Sequence, residues 1–291
     1  MTRPAGEPVP GPVVDAHHHL WDPAVRAYPW MAGDALAPLR RPYTVDDLRA
    51  ATDRRVDRTV LVQTVSDRAE TVEFLATAAG SGGLVAGVVG WVDLAAPDVT
   101  GQLAELRAGA GGELLVGVRH QVQDEPDPDW LLRPEVLRGI EAVGAAGLAY
   151  DLLVFARQLP VAGTVAGRLP HVRFVLDHLA KPPIAAGQWQ PWADRLAGLA
   201  ELPNVTAKLS GLVTEADWNA WDAEDVARYA RHALAVFGPE RCMFGSDWPV
   251  CTLAAGYGRV LDLAGSFTAG LTEAQRADVF AGTATRVYRL A

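Results

Sequence analysis

Residues 13–22 read VVDAHHHLWD, an apolar run that breaks into three consecutive histidines, His17, His18 and His19, between Asp15 and Asp22. An open doubly wound sheet that binds a dinucleotide carries a glycine-rich turn at the end of its first strand. Here histidines stand in place of that turn, which argues for a barrel with chemistry at its strand ends. Alternation along a strand turns His17 and His19 to one side and His18 to the other. A His-x-His pair on a strand presents two imidazoles to one metal ion. Taken alone, the same spacing is equally compatible with core packing.

Outward from this stretch, Val- and Leu-rich runs alternate with longer segments of helical period. Eight strands are predicted: PVVDAH, RTVLVQT, LVAGVVGW, LLVGVR, LAYDLL, VRFVLD, VTAKL and CMFGS. Between them lie VDDLRAATDR, AETVEFLATAAG, VTGQLAELRAG, RPEVLRGIEAVGAAG, LPVAGTVAGRLP, WADRLAGLAEL and WNAWDAEDVARYARHALAVFG, and a last helix falls near TEAQRADVFAGTATRVYRL. Eight such units without a linker or composition break predict a single (β/α)8 TIM-type barrel, α/β in class. The length of 291 residues suits one barrel, which typically needs roughly 250. Residues 1–12 are expected to be a short disordered lead-in to a barrel spanning 13–291.

Hydrophobic residues make up 49% of the chain and charged residues 21%, ordinary for a globular enzyme. The net charge of −9 and the lack of a basic stretch argue against a nucleic-acid partner. No long apolar segment at the start suggests a secretion signal or a membrane span. Cys242 and Cys251 are too few for a disulfide framework and are expected to be free thiols in a reducing cytoplasm. Monomer and homodimer are both compatible with the sequence.

Every strand brings a polar or aromatic group to one end. The first offers His17 and His19 with Trp21 beyond, the second Gln63, the third Trp91, the fourth Arg119 and His120. Asp151 lies in the fifth, His178 and Lys181 follow the sixth, Lys208 lies in the seventh, and Asp247 and Trp248 follow the eighth. Burying this set together is costly without a role, so a functional site is expected there.

The combination DAHHHLWD, GVRHQVQDEPDPDWL, FVLDHLAKP, AKLSGL and RCMFGSDWPV resembles the amidohydrolase superfamily, over nearly the whole chain. Within it the chain is similar to the branch of sugar lactonases that act on L-fucono- and L-rhamnono-lactones. The resemblance implies metal ligands at His17, His19, His178 and Asp247. It implies at most one divalent ion, zinc first, because the bridging lysine of two-metal members is missing from strands four and five. It also implies that the metal is dispensable in some members.

Lactone hydrolysis needs a base for the attacking water, a partner for the oxyanion and a proton for the leaving ring oxygen. Asp247 is the expected base, with Arg119, Lys208 and His120 as further catalytic candidates. Trp21, Gln63, Trp91, Asp151 and Trp248 are the expected substrate contacts, since flat aromatic faces suit a sugar ring. The substrate is then a small lactone. A carboxylated lactone from aromatic breakdown and a metal-dependent decarboxylation are the alternatives. Trp189, Trp192, Trp218 and Trp221 are assigned to packing, and Lys181 to capping of loop carbonyls.

Overall fold

The computed structural model describes residues 11–291; all but the end of the predicted lead-in lies outside the described residues. Eight parallel strands form one sheet in sequence order: β1 Val14–His18, β2 Arg58–Val62, β3 Val85–Gly90, β4 Leu115–His120, β5 Ala149–Leu152, β6 Arg173–Leu176, β7 Val205–Leu209 and β8 Cys242–Phe244. The sheet closes just beyond β8. Asp247 N–H donates to His17 O at 2.8 Å and His19 N–H to Trp248 O at 2.7 Å, so one seam fastens the histidine strand to the aspartate loop. All eight predicted strands are present.

Both faces of the sheet are covered, which is why its strands read as near-continuous apolar runs. The outer layer consists of α1 Val45–Thr52, α2 Arg68–Ala79, α3 Val99–Ala108, α4 Pro134–Ala145, α5 Leu159–Arg168, α6 Trp192–Ala200, α7 Ala223–Phe237 and α8 Tyr257–Phe267. Side-chain caps start several of these helices: Thr44 and Asp47 form a capping box on α1, and Asp222 with Asp225 on α7. The chain then runs through α9 Glu273–Ala277, a π-helical turn over Asp278–Gly282 and α10 Thr283–Tyr288. Ala281, Ala284, Tyr288 and Leu290 from this end pack with Val14, Val60, Val89, Ala149, Val175 and Met243 of the strands, which makes them the floor of the barrel.

Two details differ from the sequence reading. The helix that follows β8 is α8, within a segment not predicted as helical; the predicted last helix is the floor segment. The helix predicted from Trp218 begins at Ala223, because Asp222 caps it, and Trp218 stays in the preceding loop.

Candidate active site

β1 carries an extra residue against β2: Asp15 pairs with Thr59 but His18 with Leu61. This bulge breaks the alternation between Asp15 and His17. Asp15 reaches Ser246 and Tyr257 of the β8–α8 side, accepting from Ser246 N–H at 2.8 Å, Ser246 Oγ at 2.6 Å and Tyr257 OH at 2.8 Å. His17 and His19 turn together instead, with their Nε2 atoms 3.1 Å apart. His18 is fully buried, and among the described residues neither of its ring nitrogens has a hydrogen-bond partner.

His178 follows β6 on an unusual backbone. Residues 178–181 all lie in the left-handed region, with φ between 51° and 58° and no glycine among them. Such a conformation costs about 1–2 kcal/mol per residue and persists where the surroundings impose it. Asp247, at φ 56°, is held in the same region. Gly211 makes room for both: a Cβ there would stand 2.5 Å from His178 Nδ1 and 3.2 Å from Asp247 Oδ2.

The three imidazoles converge on one carboxylate oxygen. Asp247 Oδ1 lies 3.8 Å from His17 Nε2, 3.5 Å from His19 Nε2 and 3.9 Å from His178 Nε2. The far nitrogens are engaged elsewhere, His19 Nδ1 donating to Val62 O at 2.8 Å and His178 Nδ1 meeting Ser210 Oγ at 2.9 Å. Burial lowers all three histidines, with Lys208 adding to the effect on His17 and with His178 brought down to about 4. Burial pushes Asp247 up, but His178 and His19 outweigh it and keep its carboxyl below the ordinary value. Near neutral pH the cluster is therefore neutral imidazole around a carboxylate anion.

This donor set suits a divalent ion. Ligand atoms about 2.0–2.1 Å from a tetrahedral zinc stand roughly 3.3 Å from one another, and here the His17–His19 contact and the three imidazole distances to Asp247 Oδ1 run from 3.1 to 3.9 Å. One ligand atom from each of His17, His178 and Asp247 falls within a 4.8 Å group. The His17–His19 contact is compatible with an ion but does not require one, since a proton on His17 Nε2 satisfies it equally. With His19 Nδ1 donating, its Nε2 carries a lone pair, and only a proton or a cation makes a 3.1 Å approach by a second Nε2 favourable.

Below the cluster lies a buried ionic layer. Lys208 Nζ stands 2.6 Å from Asp151 Oδ2, 3.0 Å from Asp177 Oδ1 and 3.2 Å from His17 Nδ1. Asp177 Oδ1 is also 3.3 Å from His17 Nδ1. That nitrogen therefore faces a donor and an acceptor, so either tautomer of His17 finds a partner. Tyr288 OH, from the floor, donates to Asp151 Oδ2 at 2.7 Å. Burial brings Asp151 up to about 6 against the pull of Lys208. Burial also acts to raise Asp177, but Lys208, His17 and Arg119 hold it well below the ordinary range. Arg119 Nη1 donates to Asp177 Oδ2 at 2.9 Å and lies 3.3 Å from His17 Nε2, while its Nε donates to Gln63 Oε1 at 3.1 Å.

Above the cluster opens a cavity of about 910 Å³, with His19, His178, Asp247 and Arg119 in its lining. The other expected site residues lie outside that lining. Lys208 and Asp151 are buried in the layer beneath, and Gln63 anchors Arg119, so none of the three is a wall of the cavity. His120 cannot face inward together with its neighbour Arg119, since adjacent strand residues point to opposite sides. It accepts from Trp91 Nε1 at 3.0 Å, meets Glu125 Oε1 at 2.8 Å and stacks on Trp130. Trp91 is thereby occupied with His120. Trp21 is tied to Leu39 O at 3.0 Å and packs on Tyr43, which also packs on Trp248. Conversely Trp218 and Lys181, assigned to packing and capping, do line the cavity. Asp177, Ser210 and Tyr288 went unassigned in the sequence; Asp177 directly precedes His178, which is the only local signal for any of them.

An eight-stranded barrel with imidazole, carboxylate and guanidinium groups at the carboxyl ends of its strands has the build of a barrel hydrolase. The chain belongs to the amidohydrolase family, whose model matches residues 14–290. It is 39% identical over 289 residues to an L-fucono-1,5-lactonase of Burkholderia multivorans, covering 95% of this chain and 96% of that protein. Two crystal structures of an amidohydrolase from Burkholderia multivorans, one with bound HEPES and one with bound zinc, match with TM-scores of 0.89 and 0.88. Each is 39% identical in sequence, and each comparison covers 97% of this chain and 100% of the other.

Proposed function

We propose that this chain hydrolyses a sugar lactone to its aldonic acid, with an L-fucono-1,5-lactone as the first substrate to test. The observation that carries the reading is the Asp247 carboxylate, an anion within 3.9 Å of three neutral imidazoles on the wall of a cavity large enough for a sugar ring. Asp247 takes the proton of the attacking water and afterwards passes it to the departing ring oxygen. Arg119, fixed by Gln63 and Asp177 and part of the cavity lining, stabilises the oxyanion. His19 and His178 orient the water from either side of Asp247. Lys208, Asp151 and Asp177 act through His17, whose ring they hold in place.

A divalent ion, zinc by donor type, would be held by His17, His178 and Asp247 with His19 beside them, and when bound it polarises the lactone carbonyl. The cavity holds two guanidinium groups, Arg26 and Arg119, and both are already paired with carboxylates. Among the described residues Lys181 is the one other cation of the lining, so a substrate bearing several carboxylates would find a single unpaired cation among the lining residues and is disfavoured. A cytoplasmic setting is supported by two thiols that are free and buried, and no described helix is long and apolar enough to cross a membrane.

The test is proton release from a panel of aldonolactones, using protein stripped of metal and then assayed with and without added zinc. Acid release from the L-fucono- or L-rhamnono-lactone is expected. Silence across the panel in both conditions would overturn the reading.

A further inference from the structure

Residues 210–222 join β7 to α7, and Thr214, Glu215 and Trp218 from this loop line the cavity. The loop backbone is pinned from several sides. Thr214 Oγ1 donates to Gly211 O at 2.6 Å, Ala185 N–H to Glu215 O at 2.9 Å, and Trp218 Nε1 to Thr214 O at 2.8 Å. The Glu215 carboxylate is different. It is partly buried, yet among the described residues it has neither a hydrogen-bond partner nor an ion pair.

Lys181 lines the same cavity. Its Nζ lies 5.4 Å from the Phe155 ring and, among the described residues, has no carboxylate within 4.0 Å. The chain's two lysines thus differ sharply, Lys208 being tied to two carboxylates and Lys181 to none. Glu215 and Lys181 both line the cavity that contains Asp247, yet they do not close on each other. Burial raises the Glu215 carboxyl and Lys181 draws it down, so the two sense each other across this space. Such a gap suits a ligand rich in both donors and acceptors. An indole and a carboxylate lining one cavity match a sugar ring in particular, with C–H faces for the aromatic surface and hydroxyls for the acceptor oxygens.

We propose that Glu215 and Trp218 form the subsite that recognises the hydroxyl-bearing face of the substrate, with Glu215 accepting from neighbouring hydroxyls and Lys181 donating to an oxygen across the cavity. This rests on the lactone-hydrolase reading and deepens it by naming the polyol as the feature selected. Glu215 is here a specificity residue; the chemistry at the carbonyl stays with Asp247.

The test compares L-fucono-1,5-lactone with δ-valerolactone, which has the ester ring and no hydroxyls. In Glu215→Gln the ratio of kcat/KM for the hydroxylated over the plain lactone should fall about 10- to 100-fold, the worth of a hydrogen bond to a charged group. The loss should appear mainly in KM. Trp218→Ala should lower the same ratio, and Trp218→Phe should recover most of it. Equal losses on both lactones would overturn the proposal, because Glu215 would then act on the reacting atoms or on the fold. No change in the ratio would overturn it as well.

Calorimetric binding of L-fuconate separates this proposal from the reading beneath it, since it needs no turnover. Binding by the wild type that weakens at least tenfold in Glu215→Gln supports the subsite even if neither lactone is opened, in which case the hydrolase reading fails instead. Absent binding, or binding indifferent to Glu215, overturns the subsite whatever the activity.

Discussion

Replacing Lys208 by methionine removes the cation that bridges Asp151 and Asp177, and its effect can be worked from the distances. Nζ stands 2.6 Å from one carboxylate and 3.0 Å from the other, and all three side chains are 0% exposed. Breaking a buried ion pair from one side costs about 3–5 kcal/mol. The two carboxylates do not suffer equally. Asp177 keeps Arg119, whereas among the described residues Asp151 keeps only the Tyr288 hydroxyl. Asp151 therefore absorbs most of the damage, and it can escape by taking up a proton. Its folded value, already raised to about 6, rises further in the variant. An acid raised in the folded state favours folding at low pH and loses that contribution as pH rises through its folded value. The deficit of Lys208→Met should accordingly be about 3–5 kcal/mol at pH 8 and clearly smaller at pH 5.5. Asp151→Asn placed in the same chain should recover at least half of it. Guanidinium unfolding followed by tryptophan fluorescence measures all three quantities. A deficit under about 1 kcal/mol at pH 8, or a double variant weaker than Lys208→Met, would mean that Lys208 does not hold the two carboxylates together.

His18 is buried with both ring nitrogens unpartnered among the described residues, so His18→Leu should stabilise the fold by about 1–2 kcal/mol at pH 7.5. The unfolded chain binds a proton at His18 below about pH 6.5 while the folded one resists until about 3, so the wild type loses stability on acidification that the variant keeps. The gap should widen by about 2 kcal/mol at pH 5; parallel unfolding curves at the two pH values would contradict this. Gly211→Ala places a methyl 2.5 Å from His178 Nδ1 at a φ of 64°, and should lower both lactonase rate and zinc stoichiometry, the latter read by elemental analysis. Arg26 reaches Asp67 at 3.0 Å and Glu73 at 2.9 Å while lining the cavity beside Trp30. Arg26→Ala should therefore loosen this loop and raise KM about fivefold or more with little effect on kcat, and a kcat loss at constant KM would contradict that.

The barrel is legible because its strands are buried on both faces and its helices carry capping boxes, features that are local in sequence. The cluster of His17, His19, His178 and Asp247 is legible for a related reason: each lies at or just past a strand end, and the barrel brings those ends together. What fails to show is whatever depends on a neighbour distant in sequence. Alternation alone says that only one of Arg119 and His120 can face inward, but the strand does not say which. Asp177 reads as the last residue of a strand until Lys208, His17 and Arg119 are set around it. Tyr288 sits in a helix at the chain end, and no local pattern announces that its hydroxyl enters the barrel floor. Trp218 reads as helical because WNAW runs straight into an amphipathic segment. The Asp222–Asp225 cap instead starts that helix only at Ala223, which leaves Trp218 free to stand in the cavity wall.

Asp247→Asn shows whether Asp247 is the base that activates water for lactone opening. Asparagine keeps the size of the side chain and removes the proton acceptor. The kcat for L-fucono-1,5-lactone, followed by proton release, should fall by about 10²–10⁴-fold, the usual worth of general-base catalysis. Far-ultraviolet circular dichroism should show the fold retained. A variant that keeps its fold and works within about tenfold of the wild-type rate would mean that another group is the base.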